Sequence, residues 1–474
     1  MPLDYAHTKG TKISLAAIRH PATDPGHRLG SLFYNPGGPG ASGVKYLPEN
    51  YKLFPAAVRE RFDIVSWDPR GIGSSSPVRC LADSQKAKAF LGGLPPGFPV
   101  TDSQRSQWVD SFTQLADQCK DRQMDLLRHV STWETAHDLD LLRQAVGDKS
   151  LTYLGVSYGT FLGAVYANLH PGNVRAMVLD GNVDPRAYTT LAEGGHEPLP
   201  TSMRLKTDLG SAKTIDAFLD LCAKVPVSKC AFSAGAQTRS KYATLMERLK
   251  AGKVSGVTYP QAVSDTVQGL YTVLPEGAFP GWQGVATRLQ DMWQGHAPKP
   301  AGSPPAPEPQ QGPDEYPGIE PAYAVLCGDS PNPQAKNGQK QAADLYQRFA
   351  DQSAARAGDS GRYWVWTNEP CSTWPAQAAH PYRGPWDKPS REASKKILVT
   401  STSHDPATPY EGSEAMTRAL GDNSYLLPVS PGYGHTVLFN PSRCAQDIES
   451  TYLITGGTLP SKPVRCTQDT KPFA

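Results

Sequence analysis

The 474-residue chain has no run of 18 apolar residues, so it carries no sequence signature of a transmembrane helix. It has almost no net charge: 47 Lys and Arg against 45 Asp and Glu leave +2. No global field therefore draws it to nucleic acid or to an anionic membrane surface, and neither is expected as a partner. The motifs of metal and nucleotide chemistry are missing too. There is no CxxC or Cys/His pair at zinc spacing, no HExxH, no EF-hand loop, no GxxxxGK[ST] and no flavin fingerprint. No cofactor and no metal is expected. The Met1-Pro2-Leu3-Asp4 start has neither the basic nor the apolar region of an export signal, and no internal repeat is visible.

What is present is an ordinary globular composition, 39% hydrophobic with 43 glycines, and an excess of proline. The 44 prolines point to long, stiffened loops. Eight cysteines stand at positions 80, 119, 222, 230, 327, 371, 444 and 466. An even number without metal spacing reads as disulfides in an oxidising compartment. Proximity alone pairs Cys222 with Cys230 and Cys444 with Cys466.

Six short β-rich runs end in glycine or aspartate loops, as parallel strands of an α/β sheet do. They are Ser31–Tyr34, Phe62–Trp67, Leu151–Leu154, Val174–Leu179, Lys396–Thr400 and Ser424–Val429. A helix capped by Thr132 is expected to run to Gly147, with Ala136, Leu139, Leu142 and Val146 at helical spacing. The mostly parallel sheet is interrupted. Residues 1–185 and 395–474 read as two parts of one core, and 186–394 as a mainly helical insertion with a proline-rich loop at 298–317. Helical stretches are expected at Thr214–Ala223, Arg239–Leu249, Trp282–Met292 and Gln339–Ala357.

Gly155-Val156-Ser157-Tyr158-Gly159 has the Gly-x-Ser-x-Gly pattern of a nucleophile elbow. The bare pattern is cheap, but here it follows an apolar strand and opens a helix, Tyr158 to Leu169, as the elbow requires. A serine hydroxyl needs a base to take its proton, and the base needs a carboxylate to hold its tautomer. Asp405 follows the 396–400 strand and His435 the 424–429 strand, so the order Ser157, Asp405, His435 is that of an elbow-based triad. Asp180 is an alternative acid. His404 reads as an exposed loop residue, and His129 and His137 as solvated or capping residues. Asp68 and Arg70 are expected to brace a loop. The oxyanion donors are expected to be the N–H groups of Gly38, in the loop Asn35–Gly43, and Tyr158, with Gly37 next best.

On these residues the chain resembles the secreted tripeptidyl aminopeptidases of Streptomyces and related actinobacteria, α/β-hydrolases akin to prolyl iminopeptidases. The resemblance runs through Pro2–Tyr5, Asn35–Gly43, Trp67–Gly73, Gly155–Thr160, Val178–Gly181, Cys327-x-Asp329, Asp405–Pro409, Gly434–Thr436 and the tail from Cys444 to Cys466. It implies an α/β-hydrolase fold with the insertion as a cap, and Ser157, Asp405 and His435 as the triad. It also implies export as a monomer, with a leader removed or lost from this start, and the pairs Cys327–Cys371 and Cys80–Cys119.

The expected activity is release of short peptides, tripeptides above all, from free N-termini of peptides or proteins. A prolyl-iminopeptidase-like aminopeptidase, an esterase or amidase of the same fold, and an inactive binding module are the alternatives. An exopeptidase needs a carboxylate for the substrate's ammonium. Glu193, Glu197, Glu276, Asp329 and Glu369 are candidates, Glu276 and Asp329 foremost.

Overall fold

Seven strands form one sheet in the computed structural model, which describes residues 1–191, 198–298, 316–335, 338–388 and 396–474. They are β1 (Ala17–His20), β2 (Gly30–Asn35), β3 (Phe62–Trp67), β4 (Leu151–Val156), β5 (Val174–Asp180), β6 (Ile397–His404) and β7 (Ser424–Tyr433). Their spatial order is β1-β3-β2-β4-β5-β6-β7, with β1 antiparallel to β3 and every other pair parallel. A parallel strand covered on both faces should be buried throughout rather than alternate. β2, β3 and β4 are buried at every position. In β2, Phe33 belongs to one core layer, and Leu32 and Tyr34 to the other.

Four elements depart from expectation. β1 was not foreseen: its Ala-Ile-Arg-His sequence alternates between exposed and half-buried positions at the sheet edge, and shows no apolar run. The helices Ser84–Gly93 and Asp102–Leu127 were also missed, because the second is so polar that little beyond Trp108, Val109, Phe112, Leu115 and Cys119 marks its buried face. The next helix, Thr132–Ala145, is capped by Ser131 and not Thr132: the Ser131 hydroxyl accepts from the Glu134 N–H at 3.3 Å.

Between β5 and β6 the chain leaves the sheet for a mainly helical cap. Its helices include Thr207–Ala223, Thr238–Lys250, Tyr259–Gly269, Gly281–Trp293, Glu320–Asp329, Gln339–Ala357 and Asp359–Trp366. Most of the proline-rich loop, at 299–315, lies outside the described residues, as does the expected cap boundary at 394. No helix of the described residues is long and apolar enough to cross a membrane.

The eight cysteines form four disulfides: Cys80–Cys119, Cys222–Cys230, Cys327–Cys371 and Cys444–Cys466. Cys80–Cys119 staples the segment after β3 to the long polar helix. Cys444–Cys466 fastens the last helix, Arg443–Thr455, to a tail that bridges to β7 at Val429.

Arg70, just beyond β3, is fully buried and grips Asp138 with two 2.7 Å hydrogen bonds. Its remaining N–H groups donate to the carbonyls of Pro2, Leu3 and His129, so the guanidinium ties the N-terminal segment to the core. Removing one partner of such a pair leaves a buried charge unmet, at about 3–5 kcal/mol. Asp138→Ala should therefore lower the unfolding free energy by that amount, and Arg70→Met with Asp138→Leu should recover part of it. Urea unfolding of the two variants checks this.

Candidate active site

β4 ends at Val156, and the helix Tyr158–Leu169 begins two residues later, so Ser157 must reverse the chain alone. It does so at φ 58°, ψ −124°, a conformation rare for a non-glycine residue. The turn is tight. A Cβ on Gly155 would stand 2.3 Å from the Gly159 carbonyl oxygen, and one on Gly159 would stand 2.8 Å from the Asn35 carbonyl oxygen. The motif's two glycines are there for space. Ser157 donates its N–H to the Asp180 carbonyl at 2.9 Å and accepts at its own carbonyl from Thr160.

Asp405 and His435 stand just beyond the ends of β6 and β7. The His435 Nδ1 lies 2.9 Å from both carboxylate oxygens of Asp405, with Asp405 1% and His435 5% exposed. Asp405 also accepts from the N–H groups of Ala407, Thr408 and Thr436 and from the Thr408 hydroxyl. Every direction of the carboxylate is occupied, which fixes the imidazole that it faces.

Asp180 does not pair with the Nδ1 of His435. Its carboxylate instead accepts from the N–H of Val437 and Leu438. His404 is not an exposed loop residue either: it ends β6 half-buried, stacked on Tyr433, and burial pushes its pKa down. His137, expected to be solvated or capping, is half-buried among Tyr5, Trp133 and His170, and burial pushes its pKa down to about 4. His129 is likewise half-buried, 3.5 Å from Glu134.

The loop after β2 lies against the elbow. A Cβ on Gly37 would stand 2.5 Å from the Val156 carbonyl and 2.9 Å from the Ser157 Cβ, and Gly37 has φ +91°. The Gly37 N–H is spent on the Asn35 side chain at 3.0 Å. The N–H groups of Gly38 and of Tyr158, the first residue of the elbow helix, have no protein acceptor among the described residues. Asp68 holds the start of the following helix, Gly43–Asn50, by accepting from Ser42 and from the Val44 N–H.

Ser157, His435 and Gly38 line one cavity of about 700 Å3. Its walls are Pro36, Tyr46, Tyr271, Phe279 and Phe439, and its charged side chains, His435 apart, are Glu49 and Glu276. Tyr271 packs edge-on against His435, with centroids 5.0 Å apart, and stacks on Phe279. Glu276 is held at the rim by a tight turn, in which Glu276 and Phe279 exchange backbone hydrogen bonds.

The other favoured carboxylate does not reach this cavity. Asp329 is 2% exposed and accepts from the Thr132 N–H and hydroxyl, behind the Tyr158 ring; burial pushes its pKa up to about 7. Glu369 is buried in the cap against Ser372. Glu193 and Glu197 lie outside the described residues.

The α/β-hydrolase-fold family model matches residues 30–207, and that of TAP-like proteins matches residues 357–466. Serine protease Hip1 of Mycobacterium tuberculosis is 30% identical over 98% of this chain and 86% of its own. Carboxylesterase B of Mycobacterium tuberculosis is 31% identical over 98% and 85%, and the tripeptidyl aminopeptidase of Streptomyces coelicolor 28% over 100% and 83%. The chain belongs to the tripeptidyl-aminopeptidase-like family of α/β-hydrolases. It is a serine hydrolase.

Within this family fold, sequence reasoning passed over Glu49. The signal was present: Tyr46, Glu49 and Asn50 fall on one face of the helix that Ser42 caps, and all three line the cavity. Tyr271 and Phe279 gave no comparable signal, since the cap alone brings them to His435.

Contact between the Gly37 backbone and the elbow predicts that Gly37→Ala slows fluorophosphonate labelling and lowers kcat roughly 100-fold. Far-UV circular dichroism should stay native. Wild-type labelling rates in that variant would show that the loop does not govern Ser157.

Proposed function

We propose that the chain is a serine exopeptidase that releases short peptides, tripeptides above all, from unblocked N-termini. Ser157 is the nucleophile, His435 the base and Asp405 its partner. The Nε2 of His435 takes the Ser157 proton as Oγ bonds to the scissile carbonyl carbon, and the carbonyl electron pair moves onto oxygen. The N–H groups of Gly38 and Tyr158 receive that oxyanion, worth about 3–4 kcal/mol per donor. His435 then protonates the leaving nitrogen and the C–N bond breaks. A water, deprotonated in turn by His435, attacks the acyl-enzyme and frees Ser157.

One observation carries the specificity: the cavity that holds the proposed triad is walled by aromatic rings, and Glu49 and Glu276 are its charged lining besides His435. Such a site suits an ammonium attached to an apolar peptide. The names of the Hip1 and tripeptidyl aminopeptidase relatives support peptide substrates. A carboxylesterase among the relatives at 31% identity favours a second reading, hydrolysis of a small ester by the same triad. Four disulfides support a place outside the reducing cytosol.

Acetylating the N-terminus of a tripeptide anilide should abolish turnover, and Glu276→Gln should raise KM for the free substrate about tenfold with kcat nearly unchanged. Equal rates on blocked and free anilides, with faster cleavage of simple acyl esters, would replace this reading with the second.

A further inference from the structure

Asp180 touches both ends of the proposed triad, although it belongs to neither. Its carbonyl oxygen accepts the Ser157 N–H at 2.9 Å. Its carboxylate accepts the Val437 N–H at 2.9 Å on each oxygen and the Leu438 N–H at 2.8 Å, two and three residues past His435. The side chain is 1% exposed. A second carboxyl, Glu449 on the helix Arg443–Thr455, lies beside it, with the Thr400 side chain facing both. The Oε1 of Glu449 is sealed from solvent and has no hydrogen-bond partner among the described residues.

We propose that Asp180 is a positioning residue for His435, gripping as an anion the backbone behind the histidine, while Glu449 beside it holds a proton. The inference rests on the triad proposed above. Two arguments separate the carboxyls. Asp180 is surrounded by N–H donors, which stabilise a carboxylate, whereas Glu449 meets no such set and would place a second anion against the first. Burial and the Asp180 charge accordingly push the Glu449 pKa well up, and burial pushes Asp180 to about 6 against the pull of its N–H donors.

The titratable groups facing Asp180 are His435 beyond β7, Glu449 on the last helix and Tyr34 on β2, with Asp405 across Gly181. The sign follows. Above about pH 6 Asp180 is ionised and holds the loop; below it, a proton removes acceptor capacity and the grip on the backbone behind His435 loosens.

The test is kcat/KM against pH, from about pH 5 to pH 8, on an ester and on a peptide anilide. The wild-type acid limb should fall more steeply than one proton allows. Asp180→Asn should lower the plateau roughly 10- to 100-fold on both substrates, through kcat, and leave a one-proton limb. Glu449→Gln, an isostere of the protonated acid, should keep both the wild-type plateau and its steepness. A plateau within about twofold of wild type in Asp180→Asn would overturn the proposal. So would Glu449→Gln losing as much as Asp180→Asn. Should Asp180→Asn not fold, a one-proton limb in the wild type overturns it. His435→Ala separates the two readings: retained activity there sinks the triad and this inference together, while an inactive His435→Ala beside an active Asp180→Asn sinks this one alone.

Discussion

Ser157 occupies a backbone conformation that costs a non-glycine residue about 1–3 kcal/mol and persists where the surroundings over-determine it. Those surroundings are on both sides of the turn. The Asp180 carbonyl holds the Ser157 N–H, Thr160 holds the Ser157 carbonyl, and the Tyr153 hydroxyl holds the Gly159 carbonyl at 2.8 Å. The Asn35 backbone presses on Gly159 while its side chain takes the Gly37 N–H. The elbow and the glycine loop therefore brace one another. Neither Ser157 nor the glycine loop could shift without moving the other.

The histidine is fixed by a different device. Its loop has little regular structure of its own, so buried side chains must meet its backbone groups. Asp405 takes the Thr436 N–H, and Asn440, 1% exposed, donates to the carbonyls of His435 and Thr436. The same amide reaches into the cap, donating to the Tyr271 carbonyl and accepting the Val273 N–H at 2.9 Å. The His435 N–H also donates to Tyr271, at 2.7 Å. The strip that carries Tyr271 and Glu276 is thus hydrogen-bonded to the histidine loop, and cavity wall and His435 share one frame.

Much of this frame was legible in the sequence where the signal is local. A parallel strand is an apolar run followed by a turn, and the sites chosen at such turns, Ser157, Asp405 and His435, meet at the carboxyl edge of one sheet. β1 escaped because an edge strand alternates. His404 was misread because its burial comes from Tyr433, a neighbour in space across the β6–β7 pair. Asp329 illustrates the harder limit. A carboxylate in the cap is equally suited by type to hold an ammonium or to accept from Thr132, and only packing decides. Glu49 lay within reach, because helix periodicity from its cap already put it beside Tyr46 and Asn50.

The proposed triad stands at the sheet's carboxyl edge, whereas the cavity's carboxylates do not. Apart from His435, the charged groups at the cavity come from outside the strands, Glu49 from the helix after the glycine loop and Glu276 from the cap. They are not equivalent. Glu49 is exposed, so water and salt screen its attraction for a cation, and its effect is on approach. Glu276 is half-buried beside Phe279, and a substrate seated against it displaces water that it cannot readily replace. On the proposed exopeptidase reading, a free N-terminus would give that carboxylate a partner, and a blocked one would leave it desolvated and alone. Selectivity for unblocked peptides would then rest less on attraction than on the cost of an unpaired Glu276, since sites built to meet a polar group reject ligands that lack it more strongly than they reward those that have it.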